Sequence, residues 1–151
     1  MATQYDITAA SVSTGWIAGT ARTLIEGTTT GAQNLPEWIE YSVYNMAATG
    51  YTVVEFVTFA ATGTGTAYTP KRHGTAIGTA VSTWKVNNTV EGTTPTVLWS
   101  EVFLNPFTFR LQWPLGRELL HPASTVMGIR LTPSVIPDAT HPAGANLSIE
   151  E

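Results

Sequence analysis

The sequence predicts an all-β fold, a single-domain sandwich of two sheets, on three observations. Short segments with a two-residue alternation of apolar and polar side chains recur along the chain, and no 3.6-residue helical period is sustained. Clusters of Gly, Pro, Asn and Thr separate these segments at strand-like intervals. Finally, 26 of the 151 residues are threonine. This β-branched residue suits a pleated surface and gives a strand a polar face without charge.

The expected elements follow in order. Residues 1–14 hold few strong core formers and read as an extended N-terminal arm, which leaves 15–151 as the sandwich domain. A strand is expected at Gly15–Gly19, around Trp16 and Ile17, and another at Ala21–Glu26, closed by Gly27. Thr28–Pro36 is rich in turn formers. Trp38–Asn45 alternates, with Ile39, Tyr41 and Val43 on one face and Glu40, Ser42 and Tyr44 on the other. Tyr51–Phe59 is apolar on both faces: Tyr51, Val53 and Val57 share one with Glu55, and Val54 and Phe56 occupy the other. Such a strand is covered on both sides, as a central strand or by a partner chain. The Met46–Gly50 break between these two strands is short enough for a hairpin.

Residues 60–78 read as a long loop, ending in the basic triplet Lys71, Arg72 and His73. Thr79–Asn87 alternates again, setting Trp84 and Val86 opposite Thr83 and Lys85. Val97–Phe103 places Val97, Trp99 and Phe103 together. Phe107–Trp113 has the cleanest pattern: Phe107, Phe109, Leu111 and Trp113 face one way, Thr108, Arg110 and Gln112 the other. A one-residue slip would turn all four large side chains out of the core, so this register is well specified. Pro114-Leu115-Gly116 is a turn and Glu118–Leu120 a short strand. Val126–Thr132 follows with Ile129 and Leu131 inward, then the Pro133–Gly144 loop. Ala145–Glu151 closes the chain with Ala145, Leu147 and Ile149 inward. About nine or ten short strands with frequent turns fit a sandwich. The long loops at 28–36, 60–78 and 133–144 favour a jelly-roll-like type, with an immunoglobulin-like sandwich as the alternative.

The composition excludes several chemistries. With 43% apolar and 12% charged residues, the chain has too much apolar surface and too little charge for disorder. It holds less than half the charge of a typical soluble domain, which carries about 25%. Surface of that kind suits burial against other protein. The net charge of −4 and the isolated basic triplet give no stripe for nucleic-acid phosphates. Without cysteine there is no disulfide, thiol nucleophile or Cys-ligated zinc. No apolar run approaches a membrane span, and the first residues lack the pattern of a signal peptide.

Candidate catalytic groups are sparse. His73, His121 and His141 are far apart in sequence and form no metal motif. His141 near Asp138 reads as loop capping rather than part of a Ser–His–Asp triad, since no G-x-S-x-G is present. Glu40, Glu55, Glu101 and Glu118 are candidate carboxylates for glycoside hydrolysis, which needs two of them flanking a cleft. Glu40 and Glu101 alternate with apolar residues in short strands, which is the pattern of a solvated strand face, and that is the reading adopted for them. Trp16, Trp38, Trp84, Trp99 and Trp113 offer a sugar-stacking platform if exposed, or core residues if not. We expect no enzyme, no cofactor and no metal.

Certain segments carry a resemblance. They are the loop Tyr68-Thr69-Pro70-Lys71-Arg72-His73-Gly74-Thr75-Ala76, the strand Phe107–Trp113, the turn Pro114–Leu119, the segment Gly128-Ile129-Arg130-Leu131 and the closing strand Asn146–Glu151. In this order, over roughly residues 66–151, the chain resembles small bacteriophage virion proteins, especially capsid decoration (cement) proteins. The resemblance implies a β-sandwich or jelly roll, often trimeric, bound to the major capsid protein on the capsid exterior and made in the host cytoplasm. Tyr5, Trp16, Tyr68, Lys71, Arg72, His73 and Arg117 are then the candidate interface residues. The alternative reading is a carbohydrate- or receptor-binding module of tail-fibre or lectin type.

Overall fold

The computed structural model describes residues 3–9, 15–29, 36–72 and 82–151. They form twelve strands: β1 (Gln4–Ala9), β2 (Arg22–Thr28), β3 (Glu37–Asn45), β4 (Tyr51–Phe59), β5 (Thr64–Tyr68), β6 (Lys71–Arg72), β7 (Thr83–Val90), β8 (Thr96–Leu104), β9 (Phe107–Gln112), β10 (Leu119–Leu120), β11 (Val126–Pro133) and β12 (Ala143–Glu150). Two antiparallel sheets pack as a sandwich. Sheet A has the order β10-β3-β12-β1-β6, with β9 also paired to β3; sheet B has the order β5-β7-β2-β11-β4-β8. The pairing is nested: β1, β2, β3 and β4 run against β12, β11, β9 and β8 respectively. The chain therefore behaves as one long hairpin wound so that successive pairs fall in alternate sheets.

The inner faces meet in one main core. Sheet A contributes Ile7, Trp38, Tyr41, Val43, Leu147 and Ile149; sheet B contributes Ile25, Val54, Phe56, Trp84, Ile129 and Leu131. Aromatic rings join the layers: Phe56 stands edge-on to Tyr41 at 4.4 Å and to Trp38 at 5.5 Å between centroids. Each such side chain contributes about 1.5–3 kcal/mol by leaving water. The inward faces predicted for 107–113, 126–132 and 145–149 are the inward faces observed.

Several expectations are corrected. Residues 4–9 are a strand, not part of an arm. β1 pairs with β12 at six positions and with β6 on its other side, and Tyr5, Ile7 and Ala9 are buried. Its short Tyr-x-Ile-x-Ala pattern suffices because β12 offers a backbone edge beside it. Thr3 continues the pairing, exchanging backbone hydrogen bonds with Glu151, while 1–2 and 10–14 lie outside the described residues, as do 79–81. Gly15–Gly19 is a turn, because Gly15 and Gly19 take φ of 81° and 73°, a left-handed backbone incompatible with a strand. Met46–Gly50 is not a hairpin, since it carries the chain from sheet A to sheet B. The presumed loop 60–78 contains β5 and β6.

Bulges explain the mistaken faces. Across β12, Ser148 opposes Glu40 and Ile149 opposes Trp38, so Ile39 is an extra residue. Trp38 consequently points into the core and Ile39 lies on the outer face of sheet A. On β4, Thr52, Val54 and Phe56 face the main core, while Val57 and Phe59 form a second cluster with Val126. The cover over that cluster comes from the chain itself. Ala61 bridges to Thr93, and Gly92 lies so close to Phe59 that a Cβ there would stand 2.6 Å from the ring. Glu26, fully buried, fastens this cover. Its carboxylate accepts from Gly63 N at 3.0 Å, Asn88 Nδ2 at 2.8 Å and the Thr62 hydroxyl, and it faces Lys85 Nζ at 3.8 Å.

Candidate functional site

The structure sets Tyr5 beside Lys71 and Arg72 but does not gather the predicted interface residues on one surface. Tyr5 and Trp16 are core residues, 6% and 8% exposed, which removes them from any surface. Trp16 packs beneath the Arg22 guanidinium, 5.3 Å from the ring centroid. Tyr68 is half-buried on β5, an edge of sheet B. Lys71 and Arg72 are exposed on β6, where Arg72 pairs with Tyr5 and Lys71 with Asp6. Arg117 is exposed in the turn before β10, at the opposite edge of sheet A. His73 lies outside the described residues.

A different surface gathers apolar side chains. β8 is an edge strand with one charged residue, Glu101, among nine. On the outer face, Leu104 pairs with Tyr51 and Val102 with Val53. Leu104 is 80% exposed, Val102 60% and Tyr51 49%. Val135 extends this patch: the Tyr51 amide donates to Ser134 Oγ at 2.8 Å, which brings the 134–135 turn alongside. Leu98 is the extra residue of a second bulge, between the pairs Phe56–Trp99 and Val57–Val97. It lines a cavity of about 170 Å³ between the sheet edges, with Phe56, Trp99, Leu111, Trp113 and Leu119. The sequence signal for this margin was available: Val97, Leu98, Val102 and Leu104 accompany Trp99 and Phe103, giving apolar residues on both faces of one strand.

The outer face of sheet A has the opposite character. A groove of about 560 Å³ crosses β9, β3, β12 and β1. Arg110 binds Glu40 through two parallel bonds, Nε to Oε1 at 2.7 Å and Nη2 to Oε2 at 2.6 Å. These bonds raise the Arg110 pKa further and fix the side chain's plane. Ser148 Oγ donates to Asp6 Oδ1 at 2.7 Å, and Asn146 Nδ2 donates to Ser42 Oγ at 3.3 Å.

The catalytic candidates are scattered. Glu40 pairs with Arg110 on sheet A, whereas Glu55 pairs with Arg130 at 2.7 Å on sheet B. Glu101 sits on the β8 edge, and Glu118 accepts from Gly116 N at 2.9 Å within a turn. Asp138 caps its loop. The backbone N–H of His141 lowers its pKa first, assisted by the His141 ring and the Thr140 N–H. His121 is fully buried, edge-on to Trp38 and Trp84, with Nε2 3.2 Å from Thr125 O. Desolvation pulls its pKa down to about 4. Among the described residues, no three His, Cys, Asp or Glu side chains cluster closely enough to hold a metal.

These observations define the chain as an all-β, two-sheet sandwich with an apolar margin at one edge and a polar groove on one face. Comparison with known protein families, curated proteins and solved structures finds no match.

Proposed function

We propose that this chain is a virion structural protein of the capsid-decoration type, binding the outer shell as a homo-oligomer with the major capsid protein as partner. The observation that carries this reading is the apolar margin of β8, where Tyr51, Val102 and Leu104 lie exposed beside a strand edge that no other described strand pairs. Soluble β proteins protect such edges with charge, bulges or cover. Here the bulge at Leu98 lies in the first half of β8, and beyond it, from Ser100 to Leu104, a single Glu101 stands beside exposed Val102 and Leu104, so a protein neighbour is the natural cover. Burying each of these side chains contributes about 1.5–3 kcal/mol, and repetition over a symmetric shell multiplies modest contacts into firm attachment.

The nested pairing of β1–β4 against β12, β11, β9 and β8 supports a jelly-roll-like description of the sandwich. The reading includes no catalysis, in keeping with the separate placement of the four glutamates. It assigns no role to residues 4–9 as an arm, because they belong to sheet A.

Light scattering on the purified chain should give a trimer, and mass spectrometry should find the chain on particles purified from the virus that encodes it. The double variant Val102→Asp, Leu104→Asp should remain folded by circular dichroism yet lose attachment. A monomeric wild-type chain absent from those particles overturns the reading. Undiminished attachment of the double variant overturns the assignment of the β8 margin.

A further inference from the structure

We infer that the aromatic cavity between the edges of β8 and β9 binds a small organic ammonium ion, with its apolar group in the cavity and its charge beside Glu101. This inference does not rest on the capsid reading, since the cavity lies on the inner side of β8, and Val102 points to the outer side.

The cavity has the size and walls for one apolar group. It encloses about 170 Å³. An apolar cavity of about 150 Å³ admits a benzene ring, so this one takes a single ring or a short branched chain. Its walls stand in place before any ligand arrives. Trp99 stacks on Phe109 at 5.8 Å between centroids, with 15° between the planes. Both Trp99 and Trp113 pack on Phe56, at 6.0 and 5.8 Å. Rings already held by their neighbours lose little freedom on binding. Trp99 and Trp113 are each partly exposed, which leaves the cavity accessible from the margin of the sandwich.

Charge selects the class of ligand. Trp99 lies opposite Phe56 and Glu101 opposite Val54, both core residues of β4, so Trp99 and Glu101 project on the same, inner side of β8. Two residues along a strand span about 7 Å, which sets the Glu101 carboxylate within side-chain reach of the cavity's rim. Tyr41 gives a second bearing on it. The Tyr41 ring packs against Phe56, Trp99 and Trp113. Burial first, and then the charge of Glu101, raise the pKa of its hydroxyl, so that charge is felt behind the cavity as well. Glu101 is exposed and has no hydrogen bond or cationic partner among the described residues. No lysine, arginine or histidine lines the cavity.

An aromatic wall beside a carboxylate without a counter-charge suits a cation on an apolar frame. The face of a ring attracts a cation through its quadrupole, and tryptophan does so most strongly. Glu101 adds the counter-charge, and an ammonium group at the rim keeps part of its hydration while its apolar group leaves water. A carboxylate or phosphate ligand would meet Glu101 with no cation to offset it. A metal ion would find one carboxylate and otherwise apolar walls. A neutral ring would gain the apolar contacts but leave Glu101 unused, and therefore binds less tightly than the ammonium ion of the same shape.

The test is an NMR titration of the full chain with three probes of similar shape: phenethylammonium, neutral 2-phenylethanol and anionic phenylacetate. Phenethylammonium should shift the indole N–H resonances of Trp99 and Trp113 and bind several-fold more tightly than 2-phenylethanol, with phenylacetate weakest. Glu101→Gln, at an exposed position outside the core, should remove the preference for phenethylammonium over 2-phenylethanol and leave the neutral probe bound as before. Glu101→Lys should reverse the order of the two charged probes. The inference is overturned if phenethylammonium shifts neither indole, if 2-phenylethanol or phenylacetate binds wild type as tightly, or if Glu101→Gln leaves the preference intact.

Discussion

Asn45 and Thr52 join the two sheets. The Asn45 Nδ2 donates to Thr52 Oγ1 at 2.9 Å, and both residues are fully buried. Asn45 ends β3 in sheet A, and Thr52 lies near the start of β4 in sheet B. Asn45 Oδ1 accepts from Ala47 N at 2.9 Å, and the Thr52 hydroxyl donates to Asn105 Oδ1 at 2.9 Å. This network turns the corner where a hairpin was expected. Thr52→Val keeps the volume but leaves Asn45 without its acceptor. It should cost about 1–3 kcal/mol, the desolvation penalty of a buried unpaired group. Urea unfolding of the variant checks this; a loss below about 0.5 kcal/mol would show that the corner is held by packing alone.

Ile7 tests whether β1 is structural. Ile7→Ala should cost about 2–5 kcal/mol because the side chain is fully buried between the sheets. Removal of residues 1–9 should abolish cooperative thermal unfolding, since β12 would lose its partner at six positions. A truncated chain that melts like wild type would restore the arm reading.

Glu26 tests the cover on sheet B. Glu26→Ala leaves Gly63 N and Asn88 Nδ2 without their acceptor and Lys85 without its counter-charge. Loss of one partner of a buried charged pair typically costs about 3–5 kcal/mol. Lys85 is partly exposed, which places the expected value at the lower end. Hydrogen exchange at Gly63 should accelerate more than exchange in β11, marking release of the 60–63 loop.

His121 makes the fold acid-sensitive. Its pKa is about 4 when folded and 6.5 when unfolded, so in the interval between them the unfolded chain binds the extra proton. Stability from this group is complete above pH 6.5 and falls as pH drops towards 4. The full loss is on the order of 3 kcal/mol. His121→Asn should flatten the melting temperature over that interval relative to wild type. An unchanged pH dependence would assign the sensitivity to other groups.

The sequence alone determined the β class and the inward faces of Phe107–Gln112, Val126–Thr132 and Ala145–Ile149. In those strands the two-residue period runs unbroken, and the large side chains specify one register. It did not reveal β1, whose apolar face is only Tyr5, Ile7 and Ala9 and becomes legible beside β12. Nor could it phase Trp38 against Ile39, or Val97 against Trp99. A single extra residue inverts every face beyond it, and backbone hydrogen bonds to a distant strand decide where that residue sits. The same cause hid the two surfaces. Tyr51 meets Leu104, and Asp6 meets Ser148, across 53 and 142 positions of sequence, pairings that exist only once the nested strands have closed.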